Sequence, residues 1–328
     1  MKVTIFGGSG FVGSNLSNLF IKKDVSFTIY DLIKSRVFPD RTIIGDICLS
    51  EQLEAIPESD ILINLAAVHR DDVRPLQLYD DINVGGSRNI CDLARKKNIN
   101  KIVFTSSVAI YGFAEPNTGE DGEINYFNDY GRTKYLAEKE YLKWYEEDPN
   151  NRMLVIVRPT VIFGEGNRGN VYNLIKQIKT KKFVMFGNGK NVKSMAYVKN
   201  VAAFIYFSLS KKNGVHIHNY VDKPDMTMNN LVISVRKILF KKNGVGLRLP
   251  AFFGVLIGSL ADFISKIIRK NLPVSSIRVK KFLSTTQFSS SIDKTDFVAP
   301  FTLEDGLKKT LVYEFIEDNK DKITYETE

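Results

Sequence analysis

The strongest constraint on this chain sits at its start. An apolar run, Lys2-Val-Thr-Ile-Phe6, flows directly into Gly7-Gly-Ser-Gly-Phe-Val-Gly13. A buried strand that ends in a glycine loop and reopens as a helix predicts a βα unit of a parallel sheet. Two registers fit, Gly8-x-Gly10-x-x-Gly13 and Gly7-x-x-Gly10-x-x-Gly13. Glycine suits this loop because the chain turns sharply and its backbone has to approach a pyrophosphate closely. The free N–H groups of the following helix then face the phosphates. Gly7, Gly10, Phe11, Val12 and Gly13 are therefore candidate dinucleotide-binding residues. Asp31 closes the second apolar run, eighteen residues after Gly13. A carboxylate there accepts hydrogen bonds from ribose hydroxyls and repels a 2′-phosphate, so NAD is expected rather than NADP.

The rest of the chain supports the same architecture. Short apolar runs at 2–6, 27–30, 42–45, 60–64, 101–105 and 153–157 alternate with helical patterns near 11–23, 76–97 and 128–147. The expected fold is α/β, a Rossmann-type doubly wound parallel sheet with a smaller C-terminal substrate-binding domain. The NAD-binding domain is placed at 1–165, with 194–208 returning to it. The substrate-binding domain is placed at 166–193 and 209–328, and includes 249–269. Apolar residues make up 44% of the chain, enough for a large core, which argues against disorder. No run of about 20 apolar residues occurs, so no bilayer-spanning helix is expected. A strand at 2–6 leaves no room for a secretion signal. Cys48 and Cys91 have neither zinc nor disulfide spacing, which fits a reducing, cytoplasmic setting. His216 and His218 alternate on a strand without supporting acids or cysteines, so no metal is expected.

Tyr130 and Lys134 stand one helical turn apart in Tyr-Gly-Arg-Thr-Lys. A tyrosine with an ordinary pKa near 10 is a poor base at neutral pH. A neighbouring ammonium lowers it and yields a usable phenolate. Lys134 can also reach the nicotinamide ribose. Residues 101–112 read as a strand running into a loop with hydroxyls at its carboxyl end, where a doubly wound sheet binds its ligands. Ser107 is the candidate hydroxyl for the substrate oxygen, with Ser106 the competitor beside it.

The glycine loop, Leu65-Ala-Ala-Val-His69, Asn83-Val-Gly-Gly-Ser-Arg-Asn89, Ser106-Ser-Val-Ala-Ile-Tyr-Gly112, Tyr130-x-x-x-Lys134 and Arg158-Pro159 together resemble the extended short-chain dehydrogenase/reductase family. These are the NAD-dependent epimerases, dehydratases and reductases of activated sugars. The resemblance implies that Asp46 and Ile47 flank the adenine and that Leu65, Ala66 and Ala67 pass beside the cofactor. Dehydratases of the family carry an Asp-Glu pair after the catalytic hydroxyl, where this chain has Val108-Ala109-Ile110. A one-way reductase would favour NADPH, against which Asp31 argues. The resemblance therefore implies an isomerase, a sugar 4-epimerase. It also implies that a homodimer is possible.

Further segments, among them His69-Arg-Asp-Asp-Val73, Asn219-Tyr-Val-Asp-Lys-Pro-Asp225 and Ser275-Ser-Ile-Arg-Val-Lys-Lys-Phe282, are similar to epimerases of undecaprenyl-diphosphate-linked N-acetylhexosamine in O-antigen and lipopolysaccharide assembly. Soluble UDP-sugar epimerases commonly have Arg-Asp where this chain has Lys193-Ser194. Both carriers, lipid diphosphate and nucleotide, remain open. His69, Arg70, Arg168, Asn170 and Lys193 are candidate substrate contacts besides Ser107.

Charge is unevenly spread. The net charge is +9, yet Arg236 to Lys281 holds eleven Lys/Arg and one acid, Asp262, a balance of +10. Within it, Phe252, Val255, Leu256, Leu260, Phe263, Ile264 and Ile267 fall on one helical stripe. Such a helix suits the interface of an anionic leaflet. Peripheral attachment to the cytoplasmic face of the inner membrane is expected, the alternative being a packed core or dimer helix. Nucleic acid is not an expected partner, because no matching motif accompanies the charge.

Overall fold

Seven parallel strands form the backbone of the first unit in a computed structural model, which describes residues 1–70, 73–268, 276–318 and 322–325. The strands are β1 (Lys2–Phe6), β2 (Ser26–Asp31), β3 (Thr42–Ile44), β4 (Ile61–Asn64), β5 (Lys101–Thr105), β6 (Met153–Pro159) and, later in the chain, β10 (Gly214–Tyr220). Their spatial order is β10-β6-β5-β4-β1-β2-β3. The order reverses between β1 and β4, which opens a crevice at the carboxyl ends of those strands. All seven residues of β6 are buried, as expected for a strand covered on both faces.

Helices cover both faces. On one side lie α1 (Phe11–Lys22) and α6 (Val198–Ser208), joined through Leu16, Phe20, Val201, Phe204 and Ile205. On the other, α2 (Gln77–Tyr79) runs through a π-helical stretch at Asp80–Gly85 into α3 (Gly86–Lys96). Beside it packs α4 (Asp129–Glu146), and Ile90, Ala137, Tyr141 and Trp144 fill the layer.

The second unit combines β7 (Val161–Phe163), β9 (Val192–Tyr197) and β11 (Asp222–Thr227) in one small sheet, with β8 (Met185–Phe186) and β12 (Arg248–Leu249) in another. Its core joins α5 (Asn170–Lys179), α7 (Met228–Phe240) and α10 (Leu303–Phe315). The expected domain limits shift here. The return to the first unit comprises α6 and β10, whereas residues 192–197 stay with the small sheet. A boundary at 209 would cut off β10, whose partner β6 lies about 60 residues earlier in sequence. No local signal encodes that pairing.

The remaining helices, α8 (Ala251–Ile268) and α9 (Ser276–Leu283), form a hairpin. Gly254, Gly258 and Ala261 make the buried seam of α8, and a Cβ on Gly254 would press against Phe186 and Val279. The Asp262 carboxylate accepts a hydrogen bond from Ser276 N at the start of α9 (3.1 Å). The apolar stripe faces outward: Phe252, Leu256, Leu260 and Phe263 are 61, 62, 56 and 62% exposed. In this chain α8 is therefore not a core helix. No helix among the described residues is long and apolar enough to cross a membrane.

Candidate active site

The glycine loop closes against the neighbouring strand. Gly7 has a φ of +70°, and a Cβ there would lie 2.6 Å from Ala66 N. The Leu65–Ala67 segment thus lies directly on the loop. A Cβ on Gly13 would lie 2.4 Å from Gly8 Cα, so α1 could not approach the turn. Gly10 differs: its Cβ would meet only Gly7 O, at 3.3 Å. The space beyond is open, and Gly10 offers α1 no side-chain cap, so first-turn N–H groups remain for an anion. The Asp31 carboxylate accepts from Ser9 N (2.9 Å) and Ile33 N (3.4 Å). Burial raises its pKa, and these hydrogen bonds offset only part of the rise. A phosphate cradle beside a fixed carboxylate fits a dinucleotide such as NAD. Nearby, Asp46 Oδ1 accepts from Cys48 N (2.8 Å), and buried Ile47 packs where a Cβ on Gly86 would stand.

Asn128 caps α4 by accepting from Gly131 N (2.9 Å). Tyr130 lies half-buried in the first turn, and Lys134, one turn on, is 2% exposed. The Lys134 ammonium lies 4.3 Å from the ring centre of Phe104 on β5. Burial draws its pKa down to about 7, opposed by the charge of Glu138. Ser107 starts a one-turn helix, Val108–Tyr111, its Oγ accepting from Ala109 N (3.1 Å). The hydroxyl proton remains able to donate. Gly131 lets these pieces meet, since a Cβ there would sit 2.5 Å from Ala109 O. The buried hydroxyls of Thr105 and Ser106, at the end of β5, have no hydrogen-bond partner among the described residues.

Beneath these residues runs a buried polar network. Arg158 on β6 makes a two-pronged ion pair with Glu138 of α4 (2.9 and 2.7 Å). It also donates to Tyr111 Oη (2.6 Å) and Glu120 O (3.0 Å). Tyr111 donates onward to Asn219 Oδ1 on β10 (2.9 Å). Glu120 Oε1 accepts from Asn219 N, Ser291 N and Ser291 Oγ, each at 2.8 Å. The helix that carries Tyr130 and Lys134 is thereby tied to β6, β10 and the turn at Ser291.

Residues 3–221 match the NAD dependent epimerase/dehydratase family. The chain belongs to that family. NAD is its cofactor. A relative in Escherichia coli O157:H7, N-acetyl-alpha-D-glucosaminyl-diphospho-ditrans,octacis-undecaprenol 4-epimerase, is 46% identical over 330 residues, covering 100% of this chain and 99% of the relative. A putative UDP-glucose 4-epimerase of Methanocaldococcus jannaschii is 32% identical over 65% of this chain and 75% of its own. Among solved structures, UDP-glucose 4-epimerase of Thermotoga maritima with UDP-glucose superposes with a TM-score of 0.74 at 19% identity, covering 95% of this chain and 98% of that one. UDP-glucose 4-epimerase of Thermus thermophilus in complex with NAD gives 0.72 at 18%, with the same coverage. At these identities the superpositions establish the fold.

Within this family member, the expected substrate residues divide into two groups. His69 and Arg70 are exposed on the loop after β4, and Asn170 opens α5. Asp71 and Asp72 lie outside the described residues. Arg168 and Lys193 each hold protein partners. Arg168 pairs with Glu314 of α10 (2.9 Å) and lies 4.2 Å over the ring of Tyr172. Lys193 Nζ donates to Lys281 O (2.7 Å) and Ser284 O (2.6 Å), capping the end of α9. Burial draws the Lys193 pKa down to about 8. His218 bonds Ser291 Oγ through Nδ1 (2.8 Å) and packs on Phe204; burial keeps it neutral, with a pKa near 4. No group of three or more His, Cys, Asp and Glu among the described residues is arranged to hold a metal.

Asn83 had no assigned role in the sequence. It sits in the π-helical stretch, a geometry frequent at functional sites. Its side chain bonds Val68 N (2.8 Å), Val68 O (3.0 Å) and Thr133 Oγ1 (2.9 Å). It therefore fixes the loop after β4 to the helix of Tyr130.

Proposed function

We propose that this chain is an NAD-dependent 4-epimerase that interconverts N-acetylglucosamine and N-acetylgalactosamine while the sugar is joined through a diphosphate to undecaprenol, in surface-polysaccharide assembly. The observation that carries this reading is the 46% identity to the E. coli enzyme, which runs the full length of both chains. That span includes the α8–α9 hairpin, which lies outside the family match at 3–221. Support also comes from the turn after Ser107, where Val108-Ala109-Ile110 offers no acid–base pair for eliminating water.

The glycine loop and Asp31 would hold NAD, which would supply reversible hydride acceptance at C4 of the sugar. Tyr130 removes the proton from O4 and later gives it back. In its protonated form Lys134, one helical turn from Tyr130, favours the phenolate over the phenol. Its placement against Phe104, away from water, strengthens that charge effect. Ser107, held by Ala109 N, donates its hydroxyl proton to the sugar oxygen as charge develops there. The outward apolar stripe of α8 and the basic residues around it support peripheral contact with an anionic membrane.

A second reading, a soluble UDP-sugar 4-epimerase, is favoured by the relative in M. jannaschii and uses the same catalytic set. Purified protein with NAD, offered each substrate separately, decides between them. Turnover of undecaprenyl-diphosphate N-acetylglucosamine is expected. Turnover of UDP-N-acetylglucosamine alone would overturn the lipid-linked reading.

A further inference from the structure

Between α8 and α9 lies a groove of about 450 Å³. Val255, Ile277 and Leu283 supply its apolar walls, with Ser276, Lys280 and Ser284 along its polar side. Val255 and Ile277 are exposed although both are large and apolar. Isolated exposed apolar residues are ordinary on a protein surface, but a lined apolar groove is not.

Two lysines of α9, one of them on the groove's lining, touch the segment that connects the catalytic residues in sequence. Lys280, the one on the lining, lies 4.6 Å over the ring of Phe113. Lys281, next to it, lies 4.8 Å over Phe127. Phe113 and Phe127 pack on each other with ring centres 5.0 Å apart. Both rings belong to the segment that leaves the turn of Ser107 and enters the helix of Tyr130. Phe113 lies six residues after Ser107, and Phe127 three before Tyr130. An apolar groove, a cation on its lining and an aromatic pair from the segment between Ser107 and Tyr130 therefore adjoin one another.

Resting on the 4-epimerase reading above, we infer that this groove seats the first isoprene units of the substrate's polyprenyl chain, on the far side of its diphosphate from the sugar. The chemistry on both sides matches. The carrier is an apolar chain ending in a dianionic group, and the groove is apolar with the Lys280 ammonium on its lining. The groove is too small for a whole polyprenyl chain. The outward stripe of α8 lies on the same helix, so the remaining chain can stay in a bilayer while the sugar occupies the site. Lys193, capping α9 through Lys281 O and Ser284 O, is a positioning residue for one wall.

The test uses the full chain with NAD in detergent micelles, where recruitment to a bilayer plays no part. The substrates are N-acetylglucosamine diphosphates carrying a methyl group or isoprenoid chains of graded length. Wild-type kcat/KM should rise at least tenfold from methyl to a chain of a few isoprene units, then level off. Ile277→Asp should shrink that ratio to within threefold of unity. Ile277→Ser and Val255→Ser, milder changes, should shrink it in the same direction, and thermal melting shows which variants are folded. A flat wild-type response to chain length would overturn the inference, as would an unchanged ratio in folded Ile277 variants. With the ratio unchanged, loss of a dimer in sedimentation would assign the groove to a second copy, and loss of vesicle binding to the bilayer. In these cases the diphosphate-linked sugars still turn over, so the epimerase reading stands. No turnover of any of them, beside turnover of UDP-N-acetylglucosamine, would overturn both.

Discussion

Arg158 and Phe263 show how differently the two ends of the molecule treat water. Arg158, a permanent cation, is 5% exposed, and Glu138, Tyr111 and the carbonyl of Glu120 meet its protons. Phe263, with nothing to offer water, is 62% exposed. The Rossmann half buries charge at the cost of desolvation and recovers a fixed geometry. The hairpin leaves apolar area in solvent and gains a surface that something else can cover. Where chemistry needs a precise frame, polar groups are locked inside. Where binding needs an apolar partner, the burial is left unfinished.

The largest expected effect lies inside the frame. Tyr130→Phe should lower kcat by roughly 10²–10⁴-fold while NAD still binds, read by steady-state turnover and cofactor titration. Lys134→Met should cost activity on a similar scale yet raise the melting temperature of NAD-free protein at neutral pH. The sign follows from burial. The pKa of Lys134 falls to about 7 in the folded chain and returns to about 10.4 when unfolded, so the unfolded chain binds more protons between these values. Wild-type stability therefore rises with pH across that window relative to the variant, and urea titrations at pH 6.5 and 9 should show the gap narrowing. A gap independent of pH would mean that Lys134 is not buried as described.

Next comes the ion pair. Glu138→Gln leaves the Arg158 charge without its counterion and should cost about 3–5 kcal/mol in denaturant unfolding. A loss below 1 kcal/mol would break the contrast, because the frame would not depend on its buried charge. The smallest stability effect belongs to the hairpin. Leu256→Ser combined with Phe263→Ser should change unfolding by no more than about 0.5 kcal/mol per residue. The same pair should weaken sedimentation with anionic vesicles at least tenfold, since each side chain contributes about 1.5–3 kcal/mol when buried. Strong destabilisation instead would show that these residues pack against protein.

What the sequence made legible was local. The glycine loop, Asp31 and the Tyr130/Lys134 spacing each lie within a few residues of a strand or a single helical turn. The outward stripe of α8 was also readable, because a period of 3.6 needs no partner to be seen. Contacts between distant segments were not. The seventh strand reads as a strand at Gly214–Tyr220, but its sheet is decided by pairing with β6. Arg168 and Lys193 gave no sign of their protein partners, because Glu314 and the end of α9 lie 146 and about 90 positions away. Glu120 gave no signal at all, being one acid among several on a loop. Gly131 was visible in Tyr-Gly-Arg-Thr-Lys, and only Ala109 O beside it explains why it is a glycine.

The way the hairpin joins the molecule has an evolutionary consequence. The chain enters it through Arg248–Leu249, paired with Met185–Phe186, and leaves it at Thr286, bridged to Lys193. Both junctions are short strand pairings on the substrate unit, and neither passes through the cofactor sheet. A segment attached in this way can be exchanged with the strand pairings of the cofactor sheet left intact, although its Lys280 and Lys281 also rest on Phe113 and Phe127. A water-soluble relative could become an enzyme of the lipid phase by acquiring one cassette, with its reaction chemistry inherited unchanged.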